Sequence, residues 1–194
     1  MTIEKPWKDS FDKLLQQMVS HWHGRVSGLN EKSPGETYVY PIFMGELKGY
    51  KFTVEISEFP RVSKRPSLIE GMDNVEYLRI HVTALNEHNI QMTHESFADR
   101  VGKFFHLEHE IQTGNKDFDD RFLIKLRSSR DKEFISDTKI QELIFELEPF
   151  TVLEIAPSGI LWSQMIHDKK QLVYTTVERS VNHILRLADL ARSS

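Results

Sequence analysis

The residues with the clearest chemical potential in this sequence are the histidines and carboxylates of one short segment. His106, Glu108, His109 and Glu110 stand close together, and imidazole nitrogens and carboxylate oxygens are ligands for zinc and other divalent ions. On a helix His106, His109 and Glu110 would share a face, whereas on a strand His109 would point away from the others. The order also differs from the His-Glu-x-x-His motif of zinc proteases. The segment is therefore predicted to be a solvated polar edge without a metal or other cofactor. A metal-dependent, hydrolase-like enzyme that uses His106, Glu108 and His109 is the alternative.

A second set of oxygen ligands lies in an acidic run that contains Asp117, Asp119 and Asp120. Oxygen atoms at alternate positions suit calcium, but an EF-hand loop requires glycine where Asp120 stands and a closing glutamate where Leu126 stands. The run is therefore predicted to be structural. Asp119 is expected to cap a backbone turn, while Asp117 and Asp120 are hydrated.

Positive charge is concentrated in one polar segment, where Arg61, Lys64 and Arg65 follow the aromatic ring of Phe59. Such a group could contact an anion or a partner protein. Three positive charges are few, and the whole chain has a net charge of -4. A nucleic-acid ligand is therefore not expected, and the segment is predicted to be a solvated loop.

Motifs for other common chemistries are absent from the sequence. The chain has zero cysteines, which excludes thiol catalysis and cysteine-based metal sites. It also lacks the Gly-x-Ser-x-Gly, phosphate-loop and dinucleotide-binding patterns. We therefore expect a non-catalytic binding or scaffolding domain whose partner is a protein or a small ligand. Assembly into a homo-oligomer is left open.

Hydrophobic periodicity predicts how the chain is organised around these groups. The 194 residues are expected to form a single domain, 1-194, of the α+β class. Antiparallel strands joined as hairpins should pack against an N-terminal helix, two middle helices and a long C-terminal helix. The predicted parts are an N-terminal helix in 1-24, a first strand cluster in 38-92, a helix, strand and helix in 93-148, and a hairpin with the C-terminal helix in 151-192.

Helix starts are predicted from capping residues. Thr93 is a plausible N-cap for the first middle helix. Thr138 with Gln141 has the form of a capping box for the second one, and Asp168 three residues before Gln171 has the same form at the start of the C-terminal helix. Residues 25-37 are expected to be a polar loop.

The sharpest local pattern is Gly114, Phe118, Asp119 and Phe122. Glycine takes a positive φ without steric cost, so a turn is expected at Gly114. Phe118 and Phe122 are four residues apart and would share a face of a helical turn. From Phe122 apolar and polar residues alternate as in a strand with one buried face.

This motif resembles a bacterial domain family of unknown function, in which Gly-x-x-x-Phe-Asp-x-x-Phe precedes a strand, a helix, a hairpin and a C-terminal helix. The resemblance covers roughly Tyr38 to Leu190. Members of that family are often tethered behind N-terminal transmembrane helices. This sequence has no apolar run of about 18 residues and no secretory leader pattern in its first ten residues. A soluble, cytoplasmic protein of bacterial type without a membrane span is therefore expected.

Overall fold

An antiparallel sheet of eight strands organises the fold. The structure is a computed structural model and describes residues 6–28, 40–59, 75–94 and 111–193. The strands are β1 (Arg25–Ser27), β2 (Ile42–Leu47), β3 (Tyr50–Phe59), β4 (Val75–Thr83), β5 (Ile90–His94), β6 (Phe122–Leu126), β7 (Val152–Ala156) and β8 (Gly159–Met165).

The strand order is β1-β2-β3-β4-β8-β7-β5-β6. The hairpin of β7 and β8 comes late in the sequence but lies in the middle of the sheet, since β8 pairs with β4 and β7 pairs with β5. All of these pairings are antiparallel. The predicted α+β class, with antiparallel hairpins and helices at both ends of the chain, is confirmed.

Helices surround one face of this sheet. They are α1 (Lys8–Trp22), α2 (Lys116–Asp119), α3 (Ser129–Ser136), α4 (Thr138–Glu146), a 3-10 helix (Lys169–Leu172) and α5 (Tyr174–Ser193). Within the described ranges, none of the helices has the length and apolar character needed to span a membrane.

The core lies between the helices and one face of the sheet. Strand alternation places alternate residues on that face, and one register row runs across seven strands without interruption. It consists of Phe43, Val54, Ile80, Trp162, Leu153, Met92 and Ile124, all of which are buried.

The long helices complete this core with apolar stripes at helical spacing. Phe11, Leu14 and Met18 of α1 are fully buried, as are Val181 and Ile184 of α5. Burying one such side chain stabilises the fold by roughly 1.5–3 kcal/mol. The stripes therefore fix α1 and α5 against the sheet.

Two strand predictions were wrong. Residues 25-27 were expected to be part of a polar loop, but they form β1, which pairs with β2. Thr93 was expected to cap a helix, but it lies in β5, where its buried hydroxyl donates to the carbonyl of Thr151 at 2.7 Å. That partner is 58 residues away in sequence, so no local pattern could reveal it. The remainder of the predicted helix in 95–110 lies outside the described residues.

The helix starts near residue 130 also differ from the prediction. Asp137, not Thr138, is the N-cap of α4, and its carboxylate accepts from the backbone N–H of Lys139 at 2.7 Å. Ser128 and Asp131 form a capping box for α3, a helix start that is not among the predicted ones. The capping box of Asp168 and Gln171 is present, although it opens the 3-10 helix that precedes α5.

Candidate functional site

The carboxylate of Asp119 closes the turn of the central motif. Its Oδ1 accepts from the backbone N–H of Thr113 at 2.9 Å and from the Thr113 hydroxyl at 2.7 Å. Its Oδ2 accepts from the N–H of Gly114 at 3.2 Å, a residue with φ of +93°. Because these oxygens face hydrogen-bond donors, the geometry here suits a closed turn rather than a calcium site.

Gln141 of α4 fixes the same turn from the other side. Its Oε1 accepts from Asn115 Nδ2 at 2.7 Å, and its Nε2 donates to Thr113 Oγ1 at 3.1 Å. The same nitrogen donates to the carbonyl of Ile135 at 3.0 Å. Both polar groups of this buried side chain are therefore satisfied, as burial of an amide requires.

The aromatic residues of the motif point into the core. Phe118 and Phe122 are 0% and 2% exposed, and their ring centroids are 5.0 Å apart. Phe122 also stacks on Phe150, and both rings of the motif contact Phe145. The motif thus joins α2, β6 and α4 and leaves no open site at these side chains.

An open groove lies on the outer surface, between α4 and α5. Its cavity volume is about 370 Å³. The residues that line it recur at offsets of three and four on each helix, so each set forms one stripe facing the other helix. They are Lys139, Glu142, Leu143 and Glu146 of α4, and Arg186, Asp189 and Leu190 of α5.

Ionic contacts hold the two helices together at one end of the groove. Arg186 Nη1 donates to Glu146 Oε2 at 3.0 Å. His183 Nδ1 donates to the backbone carbonyl of Glu146 at 3.1 Å. Because these side chains are partly exposed, the ion pair itself contributes little to stability, and the hydrogen bond from His183 is a second link between the helices.

The wall formed by α5 is also anchored to the sheet. Tyr50 at the start of β3 donates its hydroxyl to Asp189 Oδ1 at 2.7 Å and accepts from Arg192 Nη1 at 3.1 Å. Burial raises the pKa of Tyr50, and its hydrogen bond to Asp189 raises it further, while Arg192 opposes the shift. Tyr50 therefore remains a neutral donor that fixes the position of Asp189.

Two charged side chains of the groove, those of Lys139 and Glu142, have no hydrogen-bond or ion-pair partner in the described residues. Both side chains are exposed. Leu190 is 36% exposed, while Leu143 at the bottom of the groove is only 2% exposed. The groove therefore offers one positive group, one negative group and an apolar patch.

A second group of charges lies on the sheet face opposite the core. Arg79 of β4 pairs with Glu55 of β3 at 3.2 Å. Nearby, burial lowers the pKa of His81 and the charge of Arg79 adds to this effect, while Glu55 and Glu154 oppose it. His81 is thus held neutral near pH 7, but in the described part of the chain these residues do not form a set of three metal ligands.

Only some of the candidate residues named from the sequence lie within the described part of the structure. His106, Glu108 and His109 lie outside the described residues, as do Arg61, Lys64 and Arg65. Gly114, Phe118, Asp119 and Phe122 are together in the motif described above. Sequence reasoning missed the groove, although one signal was present: exposed Leu190 interrupts the polar face of the C-terminal helix.

Comparisons with known proteins point to a fold and not to a family. No protein-family model matches the sequence, and no curated protein matches it. Among solved structures, the chain is similar to the crystal structure of the mycobacterial trehalose monomycolate transport factor A, TtfA, with a TM-score of 0.54. The match covers 97% of this chain and 96% of that chain at 7% sequence identity. At so low an identity the likeness concerns the fold alone, and the resemblance to the bacterial domain family stays a prediction.

Proposed function

We propose that this protein is a non-catalytic binding domain that contacts a protein partner through the groove between α4 and α5. The observation that carries the proposal is the exposed pair Lys139 and Glu142 beside the apolar patch of Leu190 and Leu143. Binding surfaces commonly combine an apolar centre with a charged rim. Lys139 and Glu142 have no side-chain partner within the described residues, whereas Arg186, Glu146 and Asp189 are already engaged. A partner would supply opposite charges to the first two.

The lining of the groove favours a protein segment over a lipid or a small apolar ligand. Five of its seven lining side chains are charged, whereas pockets for small molecules are mostly apolar. Two facing helical stripes also suit a helix laid along the groove. TtfA, the solved structure with a similar fold, is a trehalose monomycolate transport factor. A binding role is compatible with that description, but an acyl-bearing ligand would leave Lys139 and Glu142 unpaired.

A cytoplasmic location, as expected from the sequence, is part of this proposal. Fractionation of cells that produce the protein would place it with the soluble fraction. Recovery of the full-length protein in the membrane fraction would contradict that part.

Site-specific crosslinking tests the groove directly. A photoreactive phenylalanine analogue is placed at Leu190 in the groove or, as the matched control, at Leu85, which is 80% exposed in the loop after β4. We expect an adduct from position 190 and none from position 85, since only the first faces the proposed partner. Glu142→Lys should reduce the adduct severalfold, because it reverses an unpaired charge in the contact. Equal adducts at both positions, or none at position 190, would contradict the proposal.

A further inference from the structure

We infer that the protein held in the groove between α4 and α5 is a second copy of this chain, related to the first by a two-fold axis. This inference rests on the proposed function and names its partner. It follows from the charge order along the two helices, from the apolar patch between them, and from the fixed spacing of the groove walls.

The charge order of the groove is complementary to itself. In α4 the positive Lys139 precedes the negative Glu142 by three residues, and in α5 the positive Arg186 precedes the negative Asp189 by three residues. A two-fold axis that runs across α4, midway between Lys139 and Glu142, reverses the chain direction of α4 in the second copy. Lys139 then lies opposite Glu142 of the second copy, and Glu142 lies opposite Lys139 of the second copy.

The two-fold contact would pair the two groove side chains that have no partner within the described residues. Arg186 already binds Glu146, and Asp189 already accepts from Tyr50. Lys139 and Glu142 have no hydrogen-bond or ion-pair partner for their side chains in the ranges that the structure describes. A two-fold contact would thus add two equivalent ion pairs without breaking the contacts that hold the groove open.

The leucines of the groove are also compatible with a two-fold contact. Leu190 is 36% exposed at the rim, and Leu143 forms the bottom of the groove. A two-fold contact over the groove covers the exposed Leu190 side chain of each copy, so both of these side chains are removed from water. Since α4 and α5 are held by their buried stripes and Asp189 by Tyr50, little rearrangement is needed on binding.

Charge reversal in pairs tests this geometry with the full chain. Sedimentation equilibrium should show the parent as a dimer. Lys139→Glu and Glu142→Lys, each alone, place like charges opposite each other on both sides of the axis, so each variant should dissociate with a Kd at least about tenfold higher. Equimolar mixing of the two variants should restore a dimer of one copy of each, because both contacts are then between opposite charges. The double variant Lys139→Glu/Glu142→Lys should dimerise like the parent.

A charge reversal outside the groove and a test of folding serve as controls for the dimer experiment. Glu133→Lys changes an exposed residue of α3 outside the groove and should leave the dimer unchanged, and circular dichroism should show that every variant is folded. A monomeric parent, or a dimer that tolerates both single reversals, overturns the inference. If the Leu190 crosslink then contains a different protein, the proposed binding function stands without a second copy. If position 190 gives no adduct, both proposals fail.

Discussion

Asp131 Oδ1 lies 3.3 Å from His88 Nδ1, and both residues are only 1% exposed. The imidazole ring of His88 stacks on Phe134 with a centroid distance of 4.1 Å. Asp131 also accepts from the backbone N–H groups of Asn89 at 3.0 Å, Ser128 at 2.9 Å and Arg127 at 3.2 Å. One carboxylate thus joins the loop after β4 to the start of α3.

The first prediction concerns the pH dependence of this carboxylate. Burial alone would raise the pKa of Asp131, but hydrogen bonds from Asn89, Ser128, Arg127 and His88 together hold it below the usual value of 3.8. A lowered folded-state pKa means that the stabilisation is fully present above the unfolded-state pKa and is lost as pH falls through the folded-state pKa. Asp131→Asn should therefore be clearly less stable than the parent at pH 7, and the difference should shrink in acid, below about pH 4.

Urea unfolding between pH 2.5 and pH 7 measures this difference. Asp117→Asn is the control, because Asp117 is exposed on α2 and its replacement should change the free energy of unfolding only slightly at pH 7. A deficit for Asp131→Asn that does not change with pH would mean that the charge of the carboxylate is not what stabilises the junction.

The second prediction separates the aromatic and acidic members of the central motif. Phe118→Ala and Phe122→Ala should each cost on the order of 3–5 kcal/mol, because each removes a buried ring and leaves a cavity. Asp119→Ala should cost about 0.5–2 kcal/mol, since it removes acceptors that close a turn. Denaturant unfolding of the three variants beside the parent measures these values. A stabilised Asp119→Ala would indicate a functional carboxylate, and near-neutral phenylalanine variants would indicate that the rings serve a binding surface.

The third prediction concerns the close approach of β8 to β4. A Cβ atom at Gly159 would lie 2.2 Å from the backbone carbonyl oxygen of Val82, and a strand backbone in the middle of a sheet cannot move aside easily. Gly159→Ala should therefore destabilise the protein by about 1–3 kcal/mol or more.

Gly49→Ala is the matched control for this effect. Gly49 has a φ of +79° but nothing within 4 Å of a Cβ atom, so its substitution tests backbone conformation without a steric clash and should cost about 1 kcal/mol. Thermal or denaturant unfolding compares the two variants. Equal costs would show that contact with β4 is not the reason for glycine at position 159.

The fourth prediction concerns the link between the central turn and α4. Asn115 and Gln141 share a hydrogen bond at 2.7 Å, so their substitutions should not be additive. In a double-mutant cycle with Asn115→Ala and Gln141→Ala, we expect a coupling energy of roughly 0.5–3 kcal/mol. A coupling energy near zero would mean that the two side chains act independently in solution.

Local patterns were enough to predict much of the secondary structure. Leu78, Ile80 and Val82 alternate with polar residues, a pattern typical of a half-buried strand, and they form the buried face of β4. The turn at Gly114 and the strand from Phe122 follow from glycine conformation and from a change of period. These features depend on neighbours in sequence, so a sequence can indicate them.

Features that depend on distant partners were not predictable. Thr93 looks like a helix cap until its acceptor, the carbonyl of Thr151, is known. The groove exists only because α4 and α5 pack side by side, and its lining residues come from segments about 40 residues apart. Lys139 and Glu142 taken alone are ordinary exposed residues of a helix.

The position of the β7–β8 hairpin has a consequence for how the chain is made. During synthesis β1 to β4 and β5 with β6 leave the ribosome first, but in the finished sheet these two groups are separated by β8 and β7. β5 lacks its neighbour β7 until residue 156 has emerged, and β4 lacks its neighbour β8 until residue 165 has emerged. Unpaired edges of this kind favour aggregation. A nascent chain of this protein should therefore need protection until its last third is complete, and fragments that end before Val152 should be insoluble.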